Sequence, residues 1–247
     1  MAGRLAILAG SGALPVALAT AYPDALRVVF EGVAHALDGP THAHRFERLG
    51  TLFDWLHDRG VDRVVLAGGM ARPALDPADF DPEMARIAPA LAQAMQRGDD
   101  AVLRFVVTLF EARGFAVLGA AELLPGLTAA AGHIAGPPPH PGIVDDAARG
   151  AEMLAGISPL DLGQACVVER GLCLGVETLQ GTAFLLDGVS RTPGHLRAPD
   201  GVRGVLVKAP KQGQDLRVDM PAIGPDTAER CIAAFDAAGV TLLARER

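Results

Sequence analysis

The sequence predicts an α/β protein whose first half is built on a parallel sheet and whose second half is a separate, smaller α/β domain. Three observations carry this. Leu5-Ala6-Ile7-Leu8-Ala9 and Arg63-Val64-Val65-Leu66-Ala67 are near-continuous apolar runs, as in strands buried on both faces. Segments with helical spacing of apolar residues alternate with them. A Pro- and Gly-rich stretch, Leu124 to Pro141, then divides the chain before strands and helices resume. Strand, glycine turn and helix at the start (Leu5 to Pro15) make the first half Rossmann-like.

Taken in order, Leu5–Ala9 is the first strand. Gly10 and Gly12 allow a tight turn, and Pro15 suits the first turn of a helix over Ala13 to Ala21. Leu26 to Phe30 is the second strand, and His35 to Arg48 reads as polar and irregular. Thr51 to Gly60 is an amphipathic helix closed by glycine. The strand Arg63 to Ala67 ends in Gly68-Gly69, so two parallel strands deliver glycine turns toward one sheet edge. Asp76 to Met95 becomes helical. Ala101 to Arg113 is a further helix with Asp99 and Asp100 at its start, and Phe115 to Ala120 is a strand. The segment Leu124 to Pro141 reads as a linker without regular structure. Beyond it come a helix (Val144 to Ala155), two strands joined at Gly171 (Gln164 to Arg170, Leu172 to Val176), and a loop with a short helix (Glu177 to Leu186). A strand, Val205 to Val207, runs into Lys208-Ala209-Pro210-Lys211. Arg217 to Pro221 reads as extended, Ala228 to Ala238 as a helix started by Pro225, and Val240 to Leu243 as a last strand.

Composition narrows the function. Half of the 247 residues are hydrophobic but only 4% are aromatic, so the core rests on Ala, Leu and Val. A net charge of −7 with no basic patch argues against a nucleic-acid partner. Cys166, Cys173 and Cys231 lack metal-type spacing and lie in apolar runs, as small buried residues of a reducing compartment do. Glycines interrupt the one early apolar run, so no secretory leader is expected, and no apolar run is long enough to span a bilayer.

The chemistry must come from glycine turns, acids and a lysine, because the common motifs are absent: no G-x-x-x-x-G-K-[ST] loop, no G-x-S-x-G elbow, no H-E-x-x-H. The first turn aims backbone N–H groups and a helix dipole at one point, which favours phosphate. A dinucleotide site is the alternative: Glu31 sits where a ribose-binding acid would, but Pro15 occupies the third glycine of G-x-G-x-x-G. Asp99 and Asp100 read equally as helix-start acids or as ligands of a metal or ribose hydroxyl. Asp226 is either a helix cap or a site acid. Lys208 closes a buried strand, where it suits a phosphate contact. His42 and His44 fall in a polar loop as solvated residues.

Seven segments in order then carry a resemblance: LAILAGSGALP (Leu5 to Pro15), GGMARP (Gly68 to Pro73), GDDAVL (Gly98 to Leu103), LGQACVV (Leu162 to Val168), ETLQGT (Glu177 to Thr182), KAPK (Lys208 to Lys211) and DMPAIGPDT (Asp219 to Thr227). Together they resemble the LpxI family, the UDP-2,3-diacylglucosamine pyrophosphatases of lipid A synthesis. The resemblance implies cleavage to UMP and 2,3-diacylglucosamine 1-phosphate (lipid X), with Mg²⁺ or Mn²⁺ as cofactor. It implies a UDP-binding domain (1–130) and an acylated-sugar, lipid X-binding domain (131–247), with the active site in the cleft between them. It further implies a cytoplasmic homodimer, peripheral to the inner membrane. On this reading Gly10, Ser11, Gly12, Gly68, Gly69, Met70, Asp100 and Thr182 hold UDP. Asp226, Asp99 and Glu177 hold the cation, and Lys208 and Gln164 face the sugar phosphate, with Asp226 the key acid. The family's E-G-T-D reads Gln180-Gly181-Thr182-Ala183 here. A non-catalytic UDP-lipid carrier and an NAD-dependent oxidoreductase are the rival readings.

Overall fold

The computed structural model describes residues 3–70, 72–136, 138–197, 204–235 and 242–244. The chain is mixed α/β and divides into two units. Unit 1 comprises Met1–Thr128 with Asp215–Asp219, and unit 2 comprises Ala129–Gln214 with Met220–Arg247.

In unit 1 the elements are β1 (Arg4–Ala9), α1 (Ala13–Ala21), β2 (Leu26–Phe30), β3 (His42–His44), α2 (Leu49–Asp58), β4 (Val61–Ala67), α3 (Pro82–Arg97), α4 (Asp99–Ala112), β5 (Ala116–Leu118) and α5 (Ala120–Leu123). The five strands run parallel in the order β3-β2-β1-β4-β5. Alternation along β1 sorts its side chains between two cores. Ala6 and Leu8 join Val28, Val64 and the helix residues Leu52, Phe53, Leu56, Met84 and Phe110. Leu5, Ile7 and Ala9 join Val29, Val65 and Leu18 of α1. Helices therefore cover both faces, which is why residues 5–9 of β1 and 64–67 of β4 read as unbroken apolar runs. The sheet order reverses at β1/β4, the place where doubly wound sheets open a crevice at their carboxyl ends.

Three expectations for unit 1 change. His42–His44 is an edge strand, and its two imidazoles are not simply solvated: they pack on Trp55 with ring centroids 4.5 and 5.1 Å away. Burial, then His42 and Arg59, lowers the His44 pKa below its ordinary value. The strand expected to reach Ala120 stops at Leu118, and α5 begins at Ala120. Asp215–Asp219 is a turn rather than an extended run, with Val218 and Asp219 N–H donating to the Asp215 carbonyl at 3.2 and 3.1 Å. Arg217 donates to Glu111 at 2.7 Å and to both oxygens of Asp215, whose pKa it holds below the usual carboxylate value.

Unit 2 contains β6 (Gly132–Ala135), α6 (Pro141–Ile157), β7 (Ala165–Glu169), β8 (Leu172–Val176), α7 (Gly181–Ser190), β9 (Val205–Lys208), α8 (Pro225–Phe235) and β10 (Leu242–Ala244). Its three-stranded sheet is antiparallel, ordered β8-β7-β9. Leu154 of α6 packs with Cys166 and Val168 on one face; Leu186 of α7 and Cys231 and Phe235 of α8 pack with Ala165 and Val167 on the other. The stretch expected to be a structureless linker contributes β6, which pairs antiparallel with β10. The helix expected over Val144 to Ala155 is longer, Pro141–Ile157.

Candidate functional site

In unit 1 the two glycine turns meet. Gly10 N–H donates to the Ala67 carbonyl at 2.8 Å. Ser11 and Gly69 exchange both backbone hydrogen bonds, at 2.8 and 3.0 Å. The Ser11 hydroxyl also donates to the Gly69 carbonyl, at 3.0 Å, so it belongs to this clasp. The clasp requires small residues. A Cβ on Gly10 would lie 2.3 Å from the Gly69 oxygen; one on Gly68, at φ +93°, would lie 2.4 Å from the Ser11 oxygen and 2.9 Å from Pro15 Cγ. Gly12 differs. It caps α1 at φ 95°, ψ −174°, and no described atom lies within 4 Å of where its Cβ would be. Ser11, Gly12, Gly68, Gly69 and Met70 are exposed. The structure thus brings the predicted Gly10, Ser11, Gly12, Gly68, Gly69 and Met70 together at the switch point, beside the unpaired N–H groups of the first turn of α1.

The paired acids behave differently. Gly98, not an acid, is the N-cap of α4, and Asp99 and Asp100 occupy its first turn. Arg72 donates from Nε and a terminal nitrogen to one oxygen of Asp99, at 2.8 and 2.6 Å, and reaches the Met95 carbonyl at 3.4 Å. Asp100 pairs with Arg104 at 2.7 Å. Asp99 is therefore ion-paired through one of its two oxygens. Arg72, inside the GGMARP segment, went unassigned in the sequence because nothing in a linear motif says which acid an arginine will meet. Glu31, the alternative ribose acid, pairs loosely with Arg45 at 3.8 Å.

In unit 2 four of the predicted residues form one hydrogen-bonded network. Lys208 Nζ donates to Thr182 Oγ1 at 3.0 Å. Thr182 Oγ1 donates to Glu177 Oε1 at 2.5 Å. Glu177 Oε2 accepts from Gln164 N–H at 3.0 Å, and the Gln164 carbonyl accepts from Ala209 N–H at 3.0 Å. Glu177 is 8% exposed. Alongside, Lys211 is ion-paired with Asp161, and the Gln214 amide reaches Gln164 Oε1 at 3.4 Å. Leu162, Leu179 and Phe184, neighbours in sequence of these residues, are exposed.

Asp226 stands apart from this network in the bonding. It lies in the first turn of α8, exposed, with no hydrogen bond or ion pair among the described residues. It lines a cavity of about 340 Å³ with Leu186, Asp187, Glu229, Arg230 and Ala234; Asp187 and Arg230 are paired at 2.9 Å. Among the described residues no group of three or more His, Cys, Asp or Glu is placed to share a metal ion. Asp99 belongs to unit 1, and Asp226 and Glu177 to unit 2. Of the three, Asp226 alone offers an unpartnered carboxylate, which suits Mg²⁺, an ion that takes one or two carboxylates and completes its shell with water and substrate phosphate.

Two family models account for nearly the whole chain: the LpxI N-terminal domain matches residues 4–127 and the LpxI C-terminal domain residues 130–246. The chain belongs to the LpxI family. Among its relatives is the protein of Caulobacter vibrioides named UDP-2,3-diacylglucosamine pyrophosphatase LpxI, 35% identical over 239 residues, covering 94% of this chain and 85% of the relative. The LpxI domain boundary falls close to the division between the two units after Thr128.

Proposed function

We propose that this LpxI chain is a UDP-2,3-diacylglucosamine pyrophosphatase, releasing UMP and lipid X with Mg²⁺ or Mn²⁺ as cofactor. The observation that carries the reading is the glycine clasp at the switch point of unit 1, in a chain 35% identical to a protein named for that activity. Gly10, Gly12, Gly68, Gly69 and Met70 hold the nucleoside diphosphate, with backbone N–H groups and the α1 dipole facing its phosphates. Asp100 serves the ribose. Lys208 and Gln164 take the phosphate on the sugar, and Asp226 takes the cation. The bound cation supplies charge neutralisation at the phosphoryl oxygens and acidifies water in contact with it. Water attacks the phosphorus next to the sugar, the bridging P–O bond breaks, and UMP leaves. The exposed apolar side chains of unit 2, among them Leu160, Leu162, Leu179 and Phe184, are the surface offered to the acyl chains. No helix among the described residues is long and apolar enough to cross a membrane. Peripheral contact with the inner membrane and a homodimer complete the proposal, both resting on the family.

Phosphorus NMR of the purified protein with UDP-2,3-diacylglucosamine and Mg²⁺ tests it. New UMP and lipid X resonances support hydrolysis. Substrate that is bound but unchanged favours a carrier, and substrate that is neither bound nor cleaved overturns both.

A further inference from the structure

Unit 2 treats its lysines unlike any other cation in the chain. Of the 22 basic residues only two are lysines, Lys208 and Lys211, and both stand at the end of β9. An ammonium is a compact point charge with three donors, whereas a guanidinium is a planar fork. Lys211 is committed to Asp161. Lys208 is half-buried and spends one N–H on Thr182; it has no other partner among the described residues.

What aims that ammonium is the hydroxyl beneath it. A threonine hydroxyl has one proton, so the direction of its hydrogen bonds is decided by where the proton goes. Here Glu177 takes it, through Oε1. That leaves the Thr182 oxygen as an acceptor toward Lys208. The other oxygen of Glu177 is anchored to the Gln164 N–H, and Gln164 is tied back through its carbonyl to Ala209, the neighbour of Lys208. The ring is closed: Lys208, Thr182, Glu177, Gln164, Ala209. The backbone presses in on it as well, because a Cβ on Gly163 would lie 2.3 Å from the Glu177 carbonyl oxygen.

We infer that Glu177 is a positioning residue rather than a cation ligand: it polarises Thr182 so that Lys208 is held for an anionic group of the substrate. Both carboxylate oxygens of Glu177 face protein donors, and the residue is almost out of solvent, so the charge is spent on orientation. Thr182 then contributes through Lys208 and not by touching UDP. The inference rests on the proposed function for the identity of the anion, a phosphate, but not for the geometry.

The test separates the two. Acetylation of the full chain, without metal or substrate, is followed by mass spectrometry, with Lys211 as the internal reference for Lys208. Thr182→Val removes the acceptor and should raise Lys208 labelling severalfold relative to Lys211. Thr182→Ser keeps the hydroxyl and should label like the parent. Glu177→Gln presents an amide N–H₂ toward either Thr182 or Gln164 and should copy Thr182→Val. In turnover assays, Glu177→Gln should lower kcat/KM at least tenfold with the Mg²⁺ concentration for half-activation within twofold of the parent. Unchanged Lys208 labelling together with a tenfold higher Mg²⁺ requirement would make Glu177 a ligand and overturn the inference. Thr182→Ser behaving like Thr182→Val would reduce the ring to packing, with the same consequence. Should Glu177→Gln fail to fold, the Thr182 pair still decides. A parent without hydrolytic activity overturns the proposed function and leaves the labelling result standing.

Discussion

The glycine clasp separates backbone strain from steric contact, and three alanine substitutions resolve them. Gly12→Ala places a non-glycine residue at φ 95°, ψ −174° but meets nothing within 4 Å among the described residues, so its stability loss is strain alone, about 1–3 kcal/mol. Gly10→Ala has no positive φ; its methyl would sit 2.3 Å from the Gly69 oxygen and must open the Ser11–Gly69 pair. Two backbone hydrogen bonds at about 1 kcal/mol net each give a loss of about 2 kcal/mol. Gly68→Ala meets both conditions and should lose about 3–5 kcal/mol. Urea denaturation with a common m-value measures all three. The order of ligand effects is different. The Gly12 methyl points into open space beside the first turn of α1, where the proposal puts phosphate, so Gly12→Ala should weaken UMP binding at least tenfold by calorimetry, about 1.4 kcal/mol. The reasoning fails if Gly10→Ala is as stable as the parent while Gly68→Ala is no worse than Gly12→Ala. It fails for the ligand if Gly12→Ala binds UMP normally.

Asp226→Ala should lower stability by no more than about 1 kcal/mol, the worth of a first-turn acid, yet cut turnover at least a hundredfold; a falling melting temperature with near-normal turnover per folded molecule would make Asp226 a helix acid only. EDTA should abolish turnover and Mg²⁺ or Mn²⁺ restore it, and activity persisting in EDTA counts against the cation. Because the fold lowers the His44 pKa, the unfolded chain binds the proton more readily. Stability is then full above about pH 6.5 and falls as the pH drops through the lowered value, so the urea midpoint should decline from pH 7.5 to 5.5 with a smaller slope in His44→Gln. Burial pushes the Cys166 thiol up to about 12 and Cys231 to about 11, while Cys173 is exposed; a thiol reagent at pH 8 should modify one cysteine in the native protein and three in urea.

The parallel core was legible because burial on both faces leaves a local mark. Residues 5–9 of β1 and 64–67 of β4 are all apolar, and their glycine turns follow directly in sequence. β6 left no such mark. All four of its residues are exposed, and its partner β10 lies more than a hundred residues later, so neither periodicity nor proximity announces the pairing. His42 and His44 did alternate like a strand, but their polarity pointed to solvent; what they pack on is the Trp55 ring, a contact that no pattern within β3 contains. The turn at Asp215–Asp219 belongs to unit 1 although its neighbours on both sides belong to unit 2, and a sequence read in order has no means of signalling that return.

The acids show where sequence reasoning about a site stops. By residue type, Asp99, Asp100 and Asp226 each read either as a helix-start acid or as a site acid. Their partners separate them. Asp99 and Asp100 each already hold a guanidinium through one oxygen, at 2.6 and 2.7 Å, which offsets part of the charge they could give a cation. Glu177 would have to abandon Thr182 and Gln164. Asp226 has nothing to give up among the described residues. For a hard cation that gathers much of its shell from water and phosphate, an unspent oxygen is worth more than a crowded one. The residue type names the candidates, the hydrogen bonds each has already made rank them, and turnover of Asp226→Ala decides.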